Sequence, residues 1–417
     1  MRAVGIVAEY NPFHNGHRYH VEETRRLYGD APIVAAMSGN FMQRGEPALF
    51  DKWTRAEMAV RGGVDLVLEL PVAFAVRSAQ FFAAGAVRFL YSLGVVDWLS
   101  FGAEHPELGA LKLLAAAVDD ETVRAVMRSR LDAGETYAAA LGKSLAAASG
   151  LPPAMVASPN NILAVEYLRA IEKFAPYMVP CPVARQGAHY HEKVVAGAIA
   201  SATAIRGALL GGRTLEAFGA MPPSARELAE RCMAEGRGPV SWGGLTVVLL
   251  AALRRAAVAE LAELPDVTEG LEYKMKAAGA AGGLEGSLAV LKSKRYSLTR
   301  LQRVLVHALL MTDRRTVAGW DECGPLYARV LAFSGRGREL LRAMAKTAAV
   351  PVVTKTTHFL HSRDLDGREL TPLQAMLALD ALATDVYSLG MPNPEWRRGG
   401  RDFRQSPLYV ACRPVGS

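Results

Sequence analysis

Arg2-Ala3-Val4-Gly5-Ile6-Val7-Ala8-Glu9-Tyr10-Asn11-Pro12-Phe13-His14-Asn15-Gly16-His17 joins an apolar run to a loop with two histidines around a glycine. Residues 2–8 form a continuous, largely apolar run, the pattern of a strand buried on both faces as in a parallel sheet. A helical pattern runs from His17 to Tyr28, so Glu9–His17 is a strand-to-helix loop. His14 and His17 are three apart and share one side if the turn is helical. Gly16 removes a side chain where backbone could approach a ligand closely. The helix start offers free N–H groups and a partial positive charge. With two imidazole donors these make a phosphate site. A single histidine near a helix start would more often be a packing residue; two around a glycine, directly after a buried strand, point the other way. His20 continues the spacing, but His14 and His20 would lie two turns apart, which is awkward for tetrahedral zinc, so no metal site is expected.

The strand–helix alternation repeats outward from this point. Pro32–Met37, Val64–Leu70 and Val96–Phe101 read as further buried strands, with helices over Asp51–Arg61 and Ser78–Leu93 between them. That order predicts an α/β fold with a Rossmann-like doubly wound parallel sheet. Ligands in such sheets bind at the carboxyl ends of the strands, which directs attention to Glu9–His17, Ser38–Arg44, Pro71–Ser78 and Phe101–His105. Pro106–Ser149 reads as mainly helical, Pro159–Phe174 as a helix, Tyr177–Val183 as a last strand and Ser201–Leu210 as a short helix. Gly211-Gly212 and Met221-Pro222-Pro223 mark a boundary. Beyond it the chain reads as mainly helical, with strand-like exceptions at Ala349–Val353 and near Leu408–Ala411. The expected organisation is a nucleotide-binding unit over 1–220 and a helical unit over 221–417.

Composition bounds the alternatives. With 417 residues, 51% hydrophobic and 21% charged, the chain is globular rather than disordered or a coiled-coil rod. No apolar run approaches the ~18 residues needed to cross a bilayer, and the N-terminal residues do not form a signal peptide. The four cysteines, Cys181, Cys232, Cys323 and Cys412, form no CxxC pair. A cytoplasmic protein with reduced thiols and no membrane partner is expected. The net charge of +7 falls entirely in residues 221–417, since residues 1–220 hold equal numbers of basic and acidic side chains. A basic excess favours polyanions. Residues 286–312 carry no acid but hold Lys292, Lys294, Arg295, Arg300 and Arg303. Arg300, Arg303 and His307 recur on one face of a predicted helix whose other face carries Leu301, Val304, Leu305 and Leu309. That stripe, with Tyr296 as a stacking ring, reads as a surface for RNA; a solvated basic helix would look the same.

His14-Asn15-Gly16-His17 resembles the HxGH signature of nucleotidylyltransferases and class I aminoacyl-tRNA synthetases, and Ser201-Ala202-Thr203-Ala204-Ile205-Arg206 resembles their SSTxIR-type segment, with alanine at 202 and 204. Residues 5–17, Met37–Pro47, Asp51–Arg55, Leu68–Pro71, Phe101–Glu104, Ser158–Leu163 and Lys294-Arg295-Tyr296 are together similar to the bacterial tRNA(Met) cytidine acetate ligases, over nearly the whole chain. The resemblance implies coupling of acetate to ATP as acetyl-AMP, then acetylation of N4 of the wobble cytidine of elongator tRNA(Met) to N4-acetylcytidine, with magnesium bridging the phosphates.

It also implies site residues. His14 and His17 would be catalytic. ATP would be held by Val7, Glu9, Tyr10, Asn11, Phe13, His14, Gly16, His17 and His20 of the first loop, by Gly102, by Asn160 (favoured over Asn161), by Arg185 and Gln186, and by Ser201, Thr203 and Arg206. Read from the residues alone, Asn160 could equally cap a helix and Arg185 could be a surface arginine. Lys52 and Arg55 fit a solvated basic face or phosphate contact, and Glu69 and Glu104 fit magnesium binding or loop bracing. Two other functions remain compatible with the residues: a nucleotidylyltransferase acting on a small phosphate ester, and a non-catalytic nucleotide-binding RNA protein.

Overall fold

The strands expected after residues 2, 32, 64, 96 and 177 all form, and they assemble into one sheet. The computed structural model describes every residue except 136, 153–154, 157, 187–198, 294–295, 366–368 and 412–417, and omits the side chains of 137 and 138. β1 (Ala3–Ala8), β2 (Ile33–Ser38), β3 (Leu66–Leu70), β4 (Val96–Ala103) and β5 (Val179–Ala184) run parallel in the order β5-β4-β1-β2-β3. The order reverses between β1 and β4, which makes the carboxyl ends of these two strands a natural ligand crevice. β5 carries Pro180 and Pro182, and as the edge strand it needs no hydrogen-bond donor on its outer side.

Side chains alternate between two cores, as period-two strands require. Val34, Ala36, Leu66 and Leu68 face one core with the helices over Ala79–Ser92 and Pro159–Phe174. Ile33, Ala35, Met37 and Val67 face the other, with α1 (Asn15–Tyr28) and α2 (Lys52–Arg61). A third core lies among helices of the second half, including α3 (Leu298–Leu310), and takes in Phe41 and Met42 from the loop after β2.

The second half departs from the sequence reading in one respect. Ala328–Phe333 is a strand, β6, that pairs antiparallel with β3 from Leu66↔Phe333 to Glu69↔Arg329. β7 (Val352–Val353) and β8 (Leu408–Tyr409), both anticipated as strand-like, pair with β6. Among the described residues the sheet therefore has eight strands, and it continues across the boundary drawn at residue 220. The joint is charged as well as apolar. Lys52 Nζ donates to both Glu69 oxygens at 2.7 and 2.8 Å and to Asp402 Oδ1 at 2.8 Å. Arg329 bonds Asp402 and lies 3.4 Å from Glu69. All four side chains are at most 4% exposed. Two cations and two carboxylates balance in a dry site where either sign alone would be costly.

Lys52 and Glu69 are thus neither phosphate ligand, solvated face nor magnesium site. Arg55 is also buried; it donates to the carbonyls of Phe50, Glu9, Ser38 and Gly39, tying the loops after β1 and β2 to α2. Desolvation by burial pulls its pKa down to about 10, only partly offset by the surrounding acidic groups. No described helix is long and apolar enough to cross a membrane.

Candidate active site

The loops at the carboxyl ends of β1, β2, β4 and β5 enclose one cavity of about 840 Å3. Its floor is the start of α1. His14 is the N-cap: its Nδ1 accepts the Gly16 N–H at 3.0 Å, and its own N–H donates to His17 Nδ1 at 3.3 Å. The three-residue spacing of the histidines is therefore that of a reciprocal capping box, with imidazoles in the places usually held by Ser or Thr and Glu. The rings stack at 3.7 Å, and Tyr10 meets His17 edge-on. Because His14 Nδ1 accepts a hydrogen bond, its proton sits on Nε2, the nitrogen left to donate. Gly16 serves this arrangement more than any direct approach of backbone to ligand: a Cβ there would lie 2.9 Å from His14 Cε1.

Burial, reinforced by the positive charge of Arg185 and Arg206, lowers the His14 pKa to about 3. Burial likewise takes His17 well below its ordinary value, with His14 and Arg185 adding to it, and takes His20 to about 4. The three imidazoles are thus neutral near neutral pH. His20 Nε2 meets Ser100 Oγ at 2.9 Å, which in turn meets Thr24 Oγ1 at 2.8 Å. Among the described residues no three His, Cys, Asp or Glu side chains are grouped to hold a metal.

A second helix aims its N-terminus at the cavity. Ser201 caps Ala202–Leu210, its Oγ accepting the Ala204 N–H at 3.1 Å. Arg206, one turn in, donates to Thr203 Oγ1 and to the Asn11 carbonyl, both at 3.3 Å, and pairs with Glu46 at 3.1 Å. Two positive helix ends and Arg206 thus face one space, but the expected free N–H groups of α1 are taken: Asn15 donates to the Ala220 carbonyl, Gly16 to His14 Nδ1 and His17 to the His14 carbonyl, so α1 contributes its dipole.

Of the sequence-predicted residues, Val7, Glu9, Tyr10, His14, Gly16, His17, His20, Gly102, Asn160, Arg185, Gln186, Ser201, Thr203 and Arg206 line the cavity. Asn11 and Phe13 do not. Asn11 is buried, with Oδ1 accepting the Leu49 N–H at 2.9 Å, and Phe13 packs beneath the Tyr10 and His17 rings. They shape the loop from below. The Asn160–Asn161 doublet separates cleanly. Asn161 is buried between the His105 N–H and the Met155 carbonyl, whereas Asn160 faces the cavity with its amide held by Glu104. Asn160 is not a cap, since Ser158 holds that position. Glu104 also lies 4.0 Å from Arg185, so it braces two cavity residues. Gly102 lies beneath the Arg185 stem, which a Cβ would meet at 3.3 Å.

The cavity wall also has parts outside the residues expected to hold ATP. Gln43, Arg44 and Glu46 come from the loop after β2, and Asp266, Ser297, Thr299, Arg300 and Arg303 from the second half. The strand-end rule signals the first group; the second has only its basic stripe as a clue. That stripe does not face solvent as an outer RNA-binding surface. Arg303 and His307 are buried, and Arg300 donates to the Asp266 carbonyl and Thr268 Oγ1. Tyr296 is no open stacking ring, because it is buried, donates its hydroxyl to the Thr268 carbonyl and lies under the Arg300 guanidinium. Lys294 and Arg295 lie outside the described residues, and Lys292 is exposed.

A family model described as HIGH Nucleotidyl Transferase matches residues 1–402. A relative from Syntrophomonas wolfei, named tRNA(Met) cytidine acetate ligase, is 40% identical over 98% of this chain and 99% of its own. One of the same name from Acetivibrio thermocellus is 35% identical over 98% and 100%. Two crystal structures of Thermotoga maritima TmcAL match at 33% identity over 99% of this chain and 100% of theirs, the apo form with a TM-score of 0.91 and the form bound with alpha-thio ATP at 0.89. On the fold, the HxGH capping box and this full-length likeness together, the chain belongs to the tRNA(Met) cytidine acetate ligase family of HIGH nucleotidyl transferases.

Proposed function

We propose that the chain joins acetate to ATP, releasing pyrophosphate, and transfers the acetyl group to N4 of the wobble cytidine of elongator tRNA(Met), releasing AMP. The observation that carries this reading is the convergence of the His14–His17 capping box, the Ser201 helix start and Arg206 on one cavity. An acetate oxygen attacks the α-phosphorus and the bond to pyrophosphate breaks. No protein nucleophile is needed; the work is alignment and stabilisation of charge on the phosphate oxygens. His14 Nε2–H and the α1 N-terminus serve the α-phosphate. Ser201, Thr203, Arg206 and Arg185 serve the departing pyrophosphate. Magnesium accompanies the triphosphate as part of the substrate.

In the second step the cytosine amine attacks the acyl carbon and the bond to AMP oxygen breaks. The cytidine must be unstacked to reach the adenylate, which an anticodon loop permits. At about 840 Å3 the cavity is toward the upper end of the ~300–1,000 Å3 range of ligand pockets, enough for a nucleotide and a second group. Incubation with ATP, labelled acetate and total tRNA, followed by nucleoside analysis, tests the reading. Label in N4-acetylcytidine is expected; label that stays out of RNA while ATP is consumed would favour a small-molecule acceptor instead.

A further inference from the structure

Arg303 is a buried arginine whose ion-pair partner, Asp266, stands outside hydrogen-bond reach of its Nε. It is 8% exposed, its Nε has no hydrogen-bond partner among the described residues, and the nearest carboxylate oxygen, Asp266 Oδ2, stands 3.6 Å away. That separation is beyond hydrogen-bond reach. A buried guanidinium with an unpaired donor is costly, and such groups normally meet an anion. Desolvation accordingly lowers its pKa, only partly offset by Asp266. Its side chain lines the cavity, beside Ser297, Thr299 and Arg300 at the start of α3.

The turn after β2 touches both α3 and Arg206. Gly45, at φ 77°, presses so close to α3 that a Cβ would lie 2.3 Å from the Arg303 amide nitrogen. The next residue, Glu46, pairs with Arg206 at 3.1 Å. The cavity thus carries cations on two elements joined through this turn, Arg303 on α3 and Arg206 on the Ser201 helix, and Arg206 with His14 and His17 already serves one substrate.

We infer that Arg303, with the Ser297–Thr299 start of α3, is the acceptor subsite: it binds a backbone phosphate of the unstacked RNA nucleotide while the nucleotide triphosphate lies with His14, His17 and Arg206. This rests on the proposed acetyl transfer to RNA, and the wild-type protein tests that reading separately, because without any transfer to tRNA the function itself fails.

Two variants test the subsite. Arg303→Gln removes the charge. Thr299→Glu leaves Arg303 in place and adds a negative charge in the first turn of α3, where a carboxylate favours the helix. Each is assayed for acetate-dependent ATP–pyrophosphate exchange without RNA, and for KM of tRNA in acetyl transfer at several salt concentrations. Both should raise KM for tRNA about tenfold or more with exchange changed less than about threefold. Arg303→Gln should also flatten the log–log salt dependence by ~0.7, one single-strand phosphate contact. Arg303→Lys should restore the slope. Equal loss in exchange and transfer would place the anion in the triphosphate, a raised KM for acetate alone would make it acetate, and an unchanged KM for tRNA in Thr299→Glu would mean no RNA phosphate there. Any of these overturns the proposal, and Thr299→Glu decides it even if Arg303→Gln does not fold.

Discussion

His14 carries two duties that a single substitution can part. As N-cap it accepts the Gly16 N–H, and through Nε2 it donates toward the cavity. Asparagine caps helices well but cannot reach where Nε2 reaches. His14→Asn should therefore keep thermal stability within the error of a conservative cap change and slow adenylate formation by ~10²–10³-fold, the loss typical of one such donor. His14→Ala should add a loss of about 1 kcal/mol from the missing cap. Unfolding midpoints alongside ATP–pyrophosphate exchange check both. The same residue makes a pH prediction. Its folded pKa, about 3, is below the ordinary 6.5, so the unfolded chain binds the extra proton first. Stability is then full above pH ~6.5 and falls as pH drops toward the folded value. His14→Asn should show a shallower decline in melting temperature between pH 6.5 and 5 than the wild type; parallel curves would contradict a neutral buried imidazole. The sequence made the spacing and chemistry of these residues readable. It did not show that Gly16 makes room for an imidazole, because a glycine in a loop looks alike whether it clears a ligand or a neighbouring ring.

α3 and β6 show where elements outrun their patterns. The apolar face of α3 was legible and does pack the third core through Leu301, Val304 and Leu305. Its basic stripe turns toward the cavity and interior, because water and a polar cavity demand the same residues. β6 is not legible in the sequence for a related reason: a short apolar run with an arginine in it, flanked by helices, has no period of its own. Its Arg329 has a partner only through long-range pairing with Asp402 and Glu69. Arg329→Met would leave those carboxylates with Lys52 alone. It should destabilise the protein by about 3–5 kcal/mol, the cost of breaking a buried ion network on one side. The double variant with Asp402→Asn should recover part of that loss, since charge balance returns. Denaturant unfolding of the two variants checks the pair.

At the scale of the molecule, the boundary at residue 220 is a change in composition more than a line of separation. The parallel sheet and the crevice at its carboxyl ends follow from local patterns in residues 1–220. The closing of β3 by β6, and the part of the cavity wall from residues 266–303, depend on contacts hundreds of residues apart in sequence. A chain cut after residue 220 should leave the fully buried β3 with an open edge and Lys52 without Asp402. Such an edge invites pairing with other chains. The truncated chain should aggregate or lack a cooperative melting transition, and a soluble, folded fragment that still binds ATP would show the two parts to be independent. The central claim concerns the whole cavity: acetate attacks the α-phosphorus of ATP, and the same acetyl group then passes to RNA. Acetate labelled with 18O in both oxygens, turned over with ATP and tRNA, tests it most directly by mass spectrometry. One labelled oxygen should appear in the phosphate of AMP and the other in the acetyl group of N4-acetylcytidine; unlabelled AMP, or label in pyrophosphate, would contradict it.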